Sequence, residues 1–183
     1  MPLNHTSKYA ELTDEQFALI GRLVIEWSNI EFLLGILLSR LLFTAEFPGR
    51  VYSDEMSASR LQGALKKALD IHRHRYVSRI VPSETLDEIS QLNADIEKFR
   101  GLRNRFSHFC WSRSNDEEIF GSGLSGFVPP NKSVDKDSMV VSVSELKEIY
   151  RNAYQLVDHL SSVIQRLPEI DEEESLTEAL RGT

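Results

Sequence analysis

From Leu146 through Ile149, Ala153, Leu156, Leu160 and Ile164 to Leu167, apolar residues return every three or four positions until Pro168 ends the run. That is the spacing of one helix face. Ser142 and Glu145 stand just ahead of it at capping-box spacing, where each side chain reaches the backbone N–H of the other. Three earlier stretches of the 183-residue chain share the period. A helix from about Asp14 to Leu42, opened by Thr13 and Gln16 at the same capping spacing, carries Phe17, Ile20, Val24, Trp27, Leu34 and Leu38 along one face, which predicts that stripe as core. Phe47, Pro48 and Gly49 are expected to end it. A second helix spans about Ser57 to Arg75, with Leu61, Leu65 and Leu69 inward and Lys66, Lys67 and Arg73 outward. Pro82 and Ser83 introduce a third, on which Ile89, Leu92, Ile96 and Phe99 recur up to about His108.

Four long amphipathic helices predict an all-α fold, an antiparallel bundle with one elaborated connection before the last helix. Residues 110–143 lose the period and are punctuated by Ser, Asn, Gly and Pro, which reads as a long loop or small β-hairpin. Trp111 before the Asn115–Asp116 turn and Glu118 to Phe120 after it suit one ribbon, and Met139 to Val143 suit a further strand. The expected organisation is an N-terminal arm over 1–12, a helical domain over 13–167 and an acidic tail over 168–183, where Asp171 to Glu174 form a charge run typical of a solvated end.

Composition narrows the function classes. The longest apolar run, Phe32 to Leu38, is far short of the roughly 20 residues that span a membrane, so no membrane partner is expected. A lone Cys110 forms no internal disulfide, which fits a cytoplasmic location. The formal net charge of −7 excludes a broadly basic nucleic-acid binder. The charge is unevenly placed, however. Residues 60–113 carry 11 Lys plus Arg against six acids, a local +5, and from Lys98 to Asn115 there is no acid at all. A cationic helix end is the plain explanation, since positive charge suits the C-terminal pole of a helix.

Two places break the core pattern. Glu31, four residues after Trp27 and three before Leu34, projects from the apolar stripe of the first helix. A carboxylate there needs a cation or hydrogen-bond donors, unless it lies at the margin of the stripe or at a subunit surface. Gly21, Ser28 and Gly35 line the adjacent strip, where small residues admit another helix. On the third helix, Arg100, Arg103, Asn104, Ser107 and His108 share one arc that continues the line of Ile89 and Ile96, so the stripe turns polar near its end, as a cleft floor or interface would. Phe99, Leu102, Phe106 and Phe109 are expected to hold the flank as core, and Gly101 leaves room for a ligand or a second helix.

Arg103-Asn104-Arg105-Phe106-Ser107-His108 resembles the Arg, four to six residues, His motif of the HEPN superfamily, and it sits late in a third long helix, behind an acid-bearing first helix and ahead of a ribbon and a capped last helix. Over roughly residues 13–167, the resemblance implies a helical homodimer with two motifs facing one cleft. It further implies a metal-independent ribonuclease of toxin–antitoxin or antiphage systems, with a cognate antitoxin or regulatory protein as partner and no cofactor. On this basis Arg103 and His108 are the expected catalytic pair, with Asn104 as the polar residue after the arginine. RNA brings its own nucleophile, the 2′-hydroxyl, so a base, an acid and a cation for the phosphorane suffice. Glu31 is expected to hold Arg103, and Lys98, Arg100 and Arg105 to face the RNA backbone. The alternative is a non-catalytic HEPN-like module that binds RNA, a nucleotide or a protein through the same cleft.

Other constellations are weaker. Asp70, His72 and His74 resemble a metal set, but the charged end of an amphipathic helix explains them more simply. Cys110 projects to the Phe106 side as a small core residue, and His159 flanks the core as a structural residue. Trp111 suits either a stacked base or a cover for the end of the core.

Overall fold

The computed structural model describes residues 10–123 and 138–173. Among these it contains, in order, α1 (Asp14–Leu41), α2 (Glu46–Ser53), α3 (Ala58–His74), α4 (Ser83–His108), β1 (Cys110–Asn115), β2 (Glu118–Ser122), β3 (Ser138–Ser142) and α5 (Val143–Gln165). The fold is mainly helical, and the four long helices lie where the periodicity puts them. Two features correct the expected all-α bundle of four: α2 is a fifth helix, and the insertion is a three-stranded antiparallel sheet of order β1-β2-β3. Gly126, Pro129 and Pro130 of that insertion lie outside the described residues. Among the described residues no helix is long and apolar enough to cross a membrane.

Both capping boxes form. Thr13 N donates to Gln16 Oε1 at 2.9 Å and Gln16 N to Thr13 Oγ1 at 3.2 Å. Ser142 N donates to Glu145 Oε2 at 2.8 Å and Glu145 N to Ser142 Oγ at 3.2 Å. The Ser142 donors hold the Glu145 carboxyl below its ordinary value. The α2 helix contains the Phe47-Pro48-Gly49 segment that was expected only to terminate α1. Pro48 lies in its first turn, where a missing N–H costs no helical hydrogen bond. Gly49 permits the close approach to Ser39, whose Oγ a Cβ would strike.

The described residues divide into two compact units, one within Met1–Trp27 and Phe99–Tyr154, the other within Ser28–Lys98 and Gln155–Thr183. The first has a core of Leu19 and Leu23 from α1, Phe106 from α4, Ile119 and Val141 from the sheet, and Leu146 and Ala153 from α5. Gln16, wholly buried, donates through Nε2 to the carbonyls of Asn115 and Asp116, each at 3.1 Å, so the β1–β2 turn fixes the rotational phase of α1. Leu19, Leu23 and Trp27 follow Gln16 on the buried line. Phe17 and Val24 lie one residue, 100 degrees, further round; they are 39% and 41% exposed, which corrects their expected place in the core. Trp111 covers the end of this core. It stacks on Phe106 at 5.0 Å, and its Nε1 donates to the Phe106 carbonyl at 3.1 Å. Its cross-strand partner is Gly121, where a Cβ would fall 2.6 Å from the indole. Cys110 is exposed rather than core: α4 ends at His108, so helical projection no longer applies to it.

In the second unit α1 buries Ile30, Leu34, Leu37 and Leu41, α3 buries Leu61, Leu65 and Leu69, and α4 buries Leu86, Ile89 and Ile96. Three polar side chains of this interior find backbone partners on neighbouring helices. Gln62 Nε2 donates to the Asn93 carbonyl at 3.0 Å, and Asn93 Nδ2 to the Gln62 carbonyl at 3.3 Å. His72 Nε2 donates to the carbonyl of Leu41 at 2.9 Å, satisfying one of the acceptors that a helix C-terminus leaves without an intrahelical donor. His159, expected beside the core, is exposed and bonds Glu88 Oε1 at 2.8 Å. The acidic tail begins tethered, since Glu169 pairs with Arg40 at 3.1 Å alongside Glu46 at 2.6 Å. Residues 174–183 lie outside the described residues.

Candidate functional site

The motif occupies the last two turns of α4, within the first unit. Trp27 is fully buried and stacks on Phe99 with ring centroids 5.9 Å apart. The half-buried Arg103 lays its guanidinium over the Trp27 ring, 5.4 Å from the centroid, and Leu23, Val24, Phe99 and Phe106 share its recess. Its Nη1 donates to Asn104 Oδ1 at 3.3 Å. A cation over an aromatic face in an apolar recess has fewer rotamers open to it, so the fork is positioned before any ligand arrives.

Asn104, Ser107 and His108 are exposed, while Arg100 and Arg105 are half-buried. The inward line of Ile89 and Ile96 therefore surfaces as it turns polar. Phe106 is buried as expected; Phe99, Leu102 and Phe109 are only partly so. His108 is the last residue of α4, and among the described residues its ring has no hydrogen-bond partner. Arg103 and His108 are five positions apart, about 7.5 Å along the axis and about 140 degrees round it. One helix thus presents them at opposite edges of a polar strip that includes Arg100 and Ser107. A Cβ built on Gly101 meets nothing within 4 Å, so the room expected there is present.

The remaining expected residues fall as follows. Lys98 belongs to the second unit and pairs with Asp95 at 2.9 Å; with Gln91 it holds the Asp95 carboxyl below its ordinary value. Arg113 pairs with Asp116 at 3.2 Å, so part of the basic run is neutralised locally. Glu31 is half-buried on α1, also in the second unit. Asp70 and His74 are exposed while His72 is wholly buried, so these three do not converge.

Sequence spacing left one surface unread. Within the first unit, α1 and α5 flank a groove of about 650 Å³ lined by Arg22, Lys147, Tyr150, Arg151 and Tyr154. The signal was present as tyrosines and cations each four apart on α5, but the residues sit on the margins of a strong apolar stripe that accounts for the helix without them.

Compared with known proteins, the chain matches no family model, no curated sequence and no solved structure.

Proposed function

We propose that this chain is a HEPN-like, metal-independent endoribonuclease that works as a homodimer of helical bundles. The observation that carries the proposal is an Arg103 guanidinium set over Trp27 together with an exposed His108 on the same helix. His108 takes the proton of the 2′-hydroxyl or gives one to the departing 5′-oxygen, and Arg103 clamps the phosphorane with its fork. Asn104 orients Arg103 or the ribose. The 140-degree divergence of the two side chains supports a dimer, because a second copy of α4 supplies the complement that one helix turns away. Open space at Gly101 and the exposed apolar side chains of Phe17 and Val24 support a surface for that copy. A cytoplasmic toxin controlled by an antitoxin, or an antiphage effector, is the setting this chemistry suits.

The test is cleavage of RNA by purified protein in EDTA. Products ending in 2′,3′-cyclic phosphate are expected, and both Arg103→Ala and His108→Ala abolish them at unchanged melting temperature. Cleavage by both variants at the parent's rate overturns the proposal. Tight RNA binding with no cleavage across a panel of structured and unstructured RNAs favours the non-catalytic module instead.

A further inference from the structure

The groove between α1 and α5 has a composition that the catalytic motif does not use. From α1 it takes Glu15, Ala18, Leu19 and Arg22; from α5 it takes Lys147, Tyr150, Arg151 and Tyr154. Each helix contributes residues up to seven positions apart, two turns or about 10.5 Å, so the trough runs along both helices. Three of its four charges are positive, in a chain whose net charge is −7. Glu15 is already matched to Lys147 at 2.7 Å. Arg22 and Arg151 are exposed, and among the described residues neither has a carboxylate partner. Arg22 lies 5.8 Å from the centroid of the Tyr150 ring, and Tyr154, one turn further along α5, is 55% exposed.

We propose that this trough is a binding subsite for single-stranded RNA, with bases stacked on Tyr154 and beside the Arg22–Tyr150 pair and phosphates held by Arg22 and Arg151. Guanidinium groups without a carboxylate partner, beside the exposed ring of Tyr154, match the two recurring needs of a single strand, a cationic track for the backbone and a flat apolar surface for unpaired bases. An acidic peptide satisfies the arginines but leaves the exposed Tyr154 ring without a planar partner, so that ring favours nucleic acid. The choice of RNA over DNA rests on the proposed ribonuclease function; the stacking and charge arguments do not.

The experiment uses full-length protein carrying His108→Ala, so that no probe is cut, and fluorescence anisotropy with a labelled ten-nucleotide uridine strand. The lining residues to be changed are exposed, and melting temperatures within a few degrees of the parent confirm folding. Arg22→Ala with Arg151→Ala is expected to weaken binding at least tenfold and to lower the slope of log affinity against log salt by about 1.4, roughly 0.7 per lost phosphate contact on a single strand. Tyr154→Ala costs about tenfold, and Tyr154→Phe restores the affinity because the ring remains. Affinity unchanged within twofold in these variants, or no binding of the uridine strand, overturns the proposal. So does a ten-residue glutamate peptide that binds as well as RNA and is indifferent to Tyr154→Ala, which marks a protein-docking surface. A thymidine strand that binds equally well removes the preference for RNA but leaves the single-strand subsite. If the unsubstituted protein cuts no RNA yet the groove variants behave as expected, the catalytic proposal falls and the subsite stands; cleavage with indifferent groove variants gives the reverse.

Discussion

The guanidinium of Arg103 lies over the ring of Trp27, 5.4 Å from its centroid, while the ring itself is sealed from solvent and stacked on Phe99. The contact ties the rotamer of the arginine to a side chain that cannot move without disturbing the core. Charge alone does not reproduce this, since a lysine ammonium is a compact, mobile donor with no plane to stack. Arg103→Lys is therefore expected to keep the melting temperature within a few degrees and to lower single-turnover RNA cleavage by about 100-fold or more. Retention of full cleavage by the lysine variant means that the guanidinium over Trp27 has no catalytic part.

His72 fills a different need. Its Nε2–H satisfies the carbonyl of Leu41 at the end of α1, with the rings of Phe43 and Tyr76 at 5.3 and 5.4 Å. His72→Leu keeps the apolar volume and deletes the donor. The expected loss is roughly 1–3 kcal/mol in urea denaturation, the cost of an unsatisfied buried acceptor. A neutral substitution shows that water reaches Leu41.

The Glu88 carboxyl receives hydrogen bonds from Arg166 at 2.7 Å and from His159 at 2.8 Å, and these donors hold it below its ordinary value of 4.5. Its stabilising contribution is present in full above that value and is lost as the pH falls through the lower folded value. Because these groups are substantially exposed, the effect is modest. Melting temperatures should decline more steeply below about pH 4.5 in the parent than in Glu88→Gln; parallel curves exclude Glu88 as a contributor.

Gly121 leaves the space that the Trp111 indole occupies. A methyl placed 2.6 Å from that ring forces the strand or the indole to move, so Gly121→Ala is expected to cost about 1–3 kcal/mol and to shift the tryptophan emission. Combined with Trp111→Leu, the alanine should cost much less than it does alone. Strict additivity in that double-mutant cycle breaks the link between the two positions.

The helices were legible because their signals are local. Ser83 and the Ile89, Leu92, Ile96 period delimit α4 without reference to the rest of the chain, and Thr13–Gln16 and Ser142–Glu145 announce their own helix starts. Rotational phase was not local. The first half of α1 carries apolar residues on two neighbouring lines, and the choice between Leu19–Leu23 and Phe17–Val24 is made by Gln16 reaching carbonyls about 100 positions away. Nor was α2 legible. Pro48 and Gly49 read as breakers until Ser39 supplies the close contact that makes a glycine useful there. The site shows the same division: the spacing of Arg103, Asn104 and His108 is readable, whereas the Trp27 ring beneath Arg103 depends on tertiary packing.

Ser142 is at once the last residue of β3 and the cap of α5, which begins at Val143 with no linker between them. The Val143 N–H is donated to the Glu117 carbonyl at 2.8 Å, and Gln16 is fastened to the same β1–β2 turn. Both walls of the tyrosine-lined trough thus start on the ribbon, and the ribbon behaves as a gear. Displacing β3 by one residue against β2 would exchange the two faces of the strand and turn α5 by about 100 degrees, carrying Tyr154 and Arg151 away from Arg22. Three strands of five or six residues thereby set the alignment of two helices about twice as long, and substitutions at the Ile119–Val141 pairing should be felt at the trough.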